Sequence, residues 1–183
     1  LPGVNTIADG TAVKTPGKNI FPYIQKNLDD IITVPDEELV VSFLDIVENH
    51  KMVVENSGLL TVAALKHLNV QNQRVVSILS GGNMDIITMS SVVQQGLIFR
   101  DRIFTVSVLL PDKPGMLSKV ADVIAKENGN VIKLEHNQFV SINRSAAVEL
   151  RITLETFGTE HKNQIIKALE EKGYQPKQVR TNI

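Results

Sequence analysis

IFTVSVLLPDKPGMLSKVADVIAKENGNVI, Ile103–Ile132, carries the pattern that decides the fold of the second half of this chain. Phe104, Val106, Val108 and Leu110 alternate with Ile103, Thr105, Ser107 and Leu109, the period of two that sends successive side chains to opposite faces of a strand. After PDKPG, residues Leu117, Val120, Ala121 and Ile124 fall at i, i+3, i+4 and i+7, one face of a helix over 115–128, and Gly129 stands where a left-handed cap belongs. Working outward, Val131–Phe139 is the next strand. In a third, Val148, Leu150, Ile152 and Leu154 alternate with Glu149, Arg151, Thr153 and Glu155, which gives the sheet a dry face and a wet face. Ile165, Ile166 and Leu169 mark a last helix ending near Gly173, and Tyr174–Val179 a short final strand.

The order is β-α-β-β-α-β, an α+β ferredoxin-like arrangement. Upstream the texture differs. Asp29–Val34 (DDIITV) and Arg74–Leu79 (RVVSIL) read as strands, with helices over Leu39–Val47, behind the acidic start Asp36-Glu37-Glu38, and over Gly58–Leu68. Strand, two helices and strand suit a parallel layered α/β fold, because parallel neighbours need a helical crossover. Two strands make a poor sheet, so this half is expected to be an incomplete domain. DIITMSSVVQQGLIF, Asp85–Phe99, blurs into a helix end or strand plus linker.

Composition removes several function classes. Lys plus Arg number 19 against 20 Asp plus Glu, a net charge of −1, so no electrostatic case exists for nucleic acid or an anionic membrane. The 183 residues include no cysteine, which excludes disulfides, a thiolate nucleophile and a Cys-type zinc site. No apolar run reaches ~18 residues, and no basic-then-apolar leader opens the chain. The cytoplasm is the expected compartment. The opening LPGVNTIADG, without an initiating Met, reads as a piece of something longer.

LLPDKPGMLSKVADVIAKENGNVI, Leu109–Ile132, resembles the ACT domain, a ligand-sensing module whose first strand ends in an Asp-x-Pro-Gly type loop feeding a helix. Here the loop is Asp112-Lys113-Pro114-Gly115, followed by Met116 and Leu117, with Asn130 in the turn after the helix. A helix start unshielded at Gly115 can hold a carboxylate on its free N–H groups, and Asp112 can receive an ammonium, which together suit an amino acid. A tight turn with Asp112 as local cap is the alternative that spacing alone leaves open.

TIADGTAVKTPG, DDIITVPDEEL, VVENSGLLTVAAL and VVSILSGGNMD stand in the order and at the spacing of the later part of pyridoxal-phosphate-dependent threonine dehydratases and relatives such as serine racemase. The resemblance implies a partial fold-type II catalytic domain over 1–85, a linker over 86–99 and an ACT regulatory domain over 100–183. It assigns Ser80 to the pyridine nitrogen of the cofactor, Gly81 to close backbone approach, Gly10 to the ring face and Glu55 to the ring's phenolic side, with Asn83 bracing the Ser80 turn. ENSG replaces the Glu-Pro common in relatives. A neutral hydroxyl at the ring nitrogen gives a weaker electron sink than a carboxylate, and that suits elimination. The implied reaction removes the α-proton and then the β-hydroxyl of L-threonine, and the released enamine hydrolyses to 2-oxobutanoate and ammonia.

No catalytic residue is assigned within the chain, because the Schiff-base lysine of this family lies upstream of IADG and no lysine here matches its motif. By itself the polypeptide is expected to bind pyridoxal phosphate weakly or not at all and to be inactive. Isoleucine or valine is the preferred effector, given the apolar surroundings Met116, Leu117, Val131 and Ile132, with a nucleotide as the alternative, and a homo-oligomer through the ACT domains is expected. A stand-alone amino-acid sensor and a sister serine dehydratase or racemase are the competing readings. His50, His67, His136 and His161 have no metal-ligand spacing and read as surface or packing residues, and no metal site is expected.

Overall fold

The computed structural model describes residues 3–138 and 148–182. Two compact units divide it, Leu1–Gly96 and Leu97–Ile183.

The second unit follows the alternation. Strands β1 (Ile103–Leu110), β2 (Asn130–Gln138), β3 (Val148–Glu155) and β4 (Lys177–Val179) form one antiparallel sheet in the order β2-β3-β1-β4. Helices α5 (Met116–Lys126) and α6 (Thr159–Glu171) connect them in the split β-α-β-β-α-β order. Phe104, Val106, Val108 and Leu110 of β1 and Val148, Leu150, Ile152 and Leu154 of β3 are all buried, and they close one core with Val120, Ile124, Ile165 and Leu169. On the other face Thr105 and Thr153 pair their hydroxyls at 2.9 Å. Phe139, the end of the expected second strand, lies outside the described residues.

The strand β2 is an edge. Val131 pairs with Leu154 and Lys133 with Thr153, so Ile132 is an extra residue that bulges the strand. Val131, Ile132 and Leu134 remain exposed.

One expectation needs correction at the end of α5. The left-handed residue there is Asn128 (φ 60), which with Asn128 N–H to Ala125 O (3.0 Å) and Gly129 N–H to Ile124 O (2.9 Å) makes a Schellman ending. Gly129 serves close packing instead: a β-carbon on it would lie 2.7 Å from Ile124 Cγ2 and 2.9 Å from Ile165 Cδ1. Asn tolerates the left-handed region, which frees the glycine for the contact.

The first unit departs further. Helices α1 (Phe21–Asn27) and α2 (Asp36–His50) precede a helical run in which a short α3 (Leu60–Ala63) is flanked by 3₁₀ turns at Asn56–Leu59 and Ala64–His67. Its core joins Leu39, Val40, Phe43 and Ile46 of α2 to Val54, Leu59, Ala63 and Val92. The expected strands 29–34 and 74–79 pair with nothing among the described residues, so the parallel pair does not form. Ile31 is 73% exposed, Ile78 70% and Val76 90%. A strand apolar on both faces becomes a ladder only beside another strand, and no neighbour is there to take its N–H and C=O groups. Thr61 and Ser77 supply local substitutes: Thr61 Oγ1 donates to Ile78 O at 2.8 Å, and Ser77 Oγ to Thr61 O at 3.4 Å.

Residues 86–99, expected as a linker, are a 14-residue helix, α4 (Ile86–Phe99). The Asp85 carboxylate starts it by accepting the N–H groups of Ile87 (2.9 Å) and Thr88 (3.0 Å). No helix among the described residues is long and apolar enough to cross a membrane.

Candidate functional site

Three loops converge in the first unit. The segment around Gly10 is gripped from two sides: Thr6 Oγ1 donates to Asp36 Oδ1 (2.6 Å), Ile7 N–H to Asp36 Oδ2 (3.0 Å), and Asn56 Nδ2 to Ile7 O (3.1 Å). Asp36 therefore does more than start a helix. It anchors the segment that carries Gly10.

The SGGN turn is stapled to ENSG. Glu55 N–H donates to Gly81 O at 3.2 Å, and Asn83 N–H donates back to Glu55 Oε2 at 3.2 Å. The bracing expected of Asn83 thus runs through its backbone. Gly81 has φ +78, which favours glycine, and a β-carbon there would lie 2.2 Å from Glu55 Cδ, so a side chain would also displace the Glu55 carboxylate. A β-carbon on Gly58 would lie 1.7 Å from the Ser80 carbonyl oxygen. Gly10 looks onto the same cluster, where a β-carbon would be 2.8 Å from Ser57 Oγ and 3.7 Å from Glu55 Oε1.

Gly10, Glu55 and Gly81 are thereby brought together. Ser80 lies on the same turn with its side chain exposed, and its hydroxyl makes no hydrogen bond among the described residues. Ser57, which no sequence motif singles out, lies in the same cluster. Its Oγ is buried without a partner, as is Oδ1 of Asn56. The available signal was ENSG itself, an amide and a hydroxyl in place of a proline. Nearby, the hydrogen bond from the Thr88 hydroxyl, with the N–H groups of Thr88 and Ile87, holds the Asp85 carboxyl below its ordinary range.

In the second unit Leu110, Pro111, Asp112, Lys113, Pro114, Gly115, Met116 and Leu117 line a cleft of about 320 Å³, closed by His136, Gln138 and Val148. Gly115 has φ +83 with nothing within 4 Å of a β-carbon, so glycine is needed there for conformation and not for space. No side chain caps α5, which leaves first-turn N–H groups available to a ligand. Asn130 is not in the cleft. The 11 residues of α5 carry the chain ~16 Å to the other end of the sheet, where Asn130 Nδ2 donates to Glu155 Oε2 at 2.9 Å. Val131 and Ile132 stand there too, so Leu110 and Val148 take their place beside Met116 and Leu117 in the apolar lining. His136 and Gln138 were not foreseen as lining. They follow from the register that sets Gln138 against Val148.

His67 and His161 make local contacts. His67 Nε2 meets Glu38 Oε2 at 2.8 Å. His161 accepts the Phe157 N–H on Nδ1 (3.1 Å), and its Nε2 meets the Glu127 carbonyl at 2.6 Å. No metal-holding group of His, Asp and Glu occurs among the described residues.

Comparison with known proteins agrees with this division. Residues 1–81 match the family described as pyridoxal-phosphate dependent enzyme, and residues 104–173 match the ACT domain. The chain is thus similar to the one family in its first part and to the other in its second. It is 36% identical to an L-threonine ammonia-lyase of Geobacter sulfurreducens over 95% of this chain and 44% of that one, and 32% identical to one of Thermotoga maritima over 94% and 43%. An L-threo-3-hydroxyaspartate ammonia-lyase of a Pseudomonas species is 45% identical over 49% of this chain and 28% of its own. The chain thus spans less than half the length of these relatives. The unpartnered buried Ser57 hydroxyl, beside Gly10, Glu55 and Gly81, fits a bound group that brings a hydrogen-bonding atom to this cluster.

Proposed function

We propose that this chain supplies the later part of the catalytic domain and the whole regulatory domain of a threonine ammonia-lyase, which converts L-threonine to 2-oxobutanoate and ammonia. The carrying observation is the mutual staple of Glu55 and Gly81 beside Gly10, which assembles three residues assigned to the cofactor from three separate loops. Bound pyridoxal phosphate would supply the electron sink that makes the α-proton acidic. The part of this chain would be to seat it: Gly10 against the ring face, Ser80 turned to the ring nitrogen, and Glu55 held on its edge by the Asn83 N–H. The fold implied for residues 1–85 is fold-type II, whose parallel neighbours would take up segments 29–34 and 74–79.

The reaction is tested by assaying the longest reading frame containing this sequence with L-threonine, L-serine and L-threo-3-hydroxyaspartate. Threonine turnover to 2-oxobutanoate is expected. Preferential turnover of either other substrate would establish a sister enzyme. The 183-residue chain alone, mixed with pyridoxal phosphate, is expected to develop no stable cofactor absorbance band.

For regulation, the cleft over Leu110–Leu117 would take an amino acid. Its carboxylate would lie on the first turn of α5, its ammonium on Asp112, and its apolar side chain against Met116, Leu117 and Val148. Isoleucine or valine fits this lining. Calorimetric titration checks it, with AMP as the competing ligand and absence of heat from branched-chain amino acids as the failing result. The open β2 edge, with Val131, Ile132 and Leu134 exposed, supports pairing of two copies into a homo-oligomer.

A further inference from the structure

Residues 55–58 are the hub of the cluster around Gly10, and its members turn to different parts of it. Glu55 is hydrogen-bonded to Gly81 and to Asn83, while Gly58 admits the Ser80 carbonyl oxygen, which would lie 1.7 Å from a β-carbon there. Asn56 reaches the segment that carries Gly10. Its Nδ2 donates to Ile7 O at 3.1 Å, joining residues 49 positions apart.

That segment belongs to no sheet, and side chains hold its backbone. Asp36 Oδ2 accepts the Ile7 N–H (3.0 Å), Thr6 Oγ1 accepts the Ala8 N–H (3.1 Å), and Asn56 serves the Ile7 carbonyl. The two grips on Ile7 fix different things. Asp36 begins α2 and ties the segment to that helix. Asn56 ties it to the loop of Glu55 and Ser57, where clearance is small: a β-carbon on Gly10 would be 2.8 Å from Ser57 Oγ and 3.7 Å from Glu55 Oε1. Asn56 is only 6% exposed, so water has little room to replace its amide, and without it Ile7 O loses its donor. A binding site works only when its parts are held within about 0.5 Å of the productive geometry.

We propose that Asn56 is a positioning residue of the cofactor seat: its side-chain amide, by holding the Ile7 carbonyl, sets where Gly10 lies relative to Glu55 and Ser57. Asn56 acts through Gly10, so the proposal rests on the reading of Gly10 as the residue against the cofactor ring. Aspartate in its place would set a carboxylate oxygen against the Ile7 carbonyl oxygen, two acceptors with no proton between them. Leucine would fill the same space with no donor.

The test compares wild type with Asn56→Leu and Asn56→Asp in two preparations. In the isotope-labelled 183-residue chain without cofactor, the backbone amides of Ile7, Ala8 and Gly10 are expected to shift, while those of Gly81 and Asn83, stapled through Glu55, stay in place. In the longest reading frame containing this sequence, both variants should bind pyridoxal phosphate roughly tenfold more weakly. They should also change the circular dichroism of the bound cofactor well below the unfolding temperature. A residue that merely stabilised the fold would leave that signal of the loaded protein unaltered. If Asn56→Leu does not fold, the isosteric Asn56→Asp decides. Unmoved Ile7, Ala8 and Gly10 amides, or unaltered dichroism in the variants that load, would overturn the proposal. A wild-type reading frame that takes up no cofactor would sink the cofactor reading instead, and the amide comparison would still decide whether Asn56 places Gly10.

Discussion

The carboxylate of Glu55 occupies the space that a side chain on residue 81 would need, with Cδ 2.2 Å from the position of a β-carbon. Residue 81 also has φ +78. Gly81→Ala is therefore expected to destabilise the first unit by about 1–3 kcal/mol. Urea unfolding followed on amides of Ala8 and Leu59, with Val106 and Leu150 as internal reference, measures it. An unchanged midpoint would mean that residue 81 is not held in the left-handed region beneath Glu55.

Asp101 closes α4 in the left-handed region (φ 53) and ties down the start of α6: Lys162 Nζ lies 2.8 Å from Oδ1 and Thr159 Oγ1 donates to Oδ2 at 2.8 Å. The two charged side chains are only 12% (Lys162) and 19% (Asp101) exposed. Asp101→Ala leaves a largely buried ammonium unpaired, at a cost of about 2–4 kcal/mol to the second unit. Asp101→Asn, which keeps an acceptor for Thr159, should cost less. Chemical denaturation of both variants checks the order.

The Glu149 carboxyl lies below its usual range, chiefly because the Ser107 hydroxyl donates to Oε1 at 2.7 Å, with Arg151 Nε 3.0 Å from Oε2. A carboxyl depressed in the folded state stabilises it above the unfolded value, roughly pH 4.3, and that contribution is lost as pH falls through the folded value. Ser107→Ala should raise the Glu149 titration midpoint and flatten the acid dependence of stability below about pH 4. Carboxyl-carbon NMR titration reads the first effect and acid unfolding the second. Glu135, lowered by the Lys133 hydrogen bond and charge, is open to solvent over part of its side chain and should shift with salt instead.

Gly115→Ala meets no atom within 4 Å, so its cost is conformational alone, about 1–2 kcal/mol for a left-handed residue. Gly115→Asn should cost less. If the cleft over Leu110–Leu117 holds the effector, the alanine variant also loses branched-chain amino-acid binding in proportion to the displacement of the α5 start, read by calorimetry.

How much was legible differs between the halves. In the second unit the alternation of β1 and β3 carries its own instructions, since both strands have partners and one covered face. Asn128 misled because its sequence neighbour is a glycine, and only the packing of Ile124 on Ile165 reveals what Gly129 is for. In the first unit Val75, Val76 and Ile78 encode a strand, yet pairing is a property of two segments and the second is not beside them. Residues 86–99 concealed a helix behind Ser90-Ser91, Gln94-Gln95 and Gly96, although Asp85 and Thr88 already spelled its cap. The loops that carry Gly10, Glu55 and Ser80 fall together in the first unit. Its unpartnered atoms, on Asn56 and Ser57, depend on where three loops cross and could not be read from any one of them.

The bulge at Ile132 bears on the solubility of this chain. A straight apolar edge would template the addition of copy upon copy, the route to fibres. The extra residue twists the edge out of register after Val131, and the Lys133–Glu135 pair at 2.9 Å sets charge along the stretch that follows. Such an edge offers no flat continuation along which strand after strand could add.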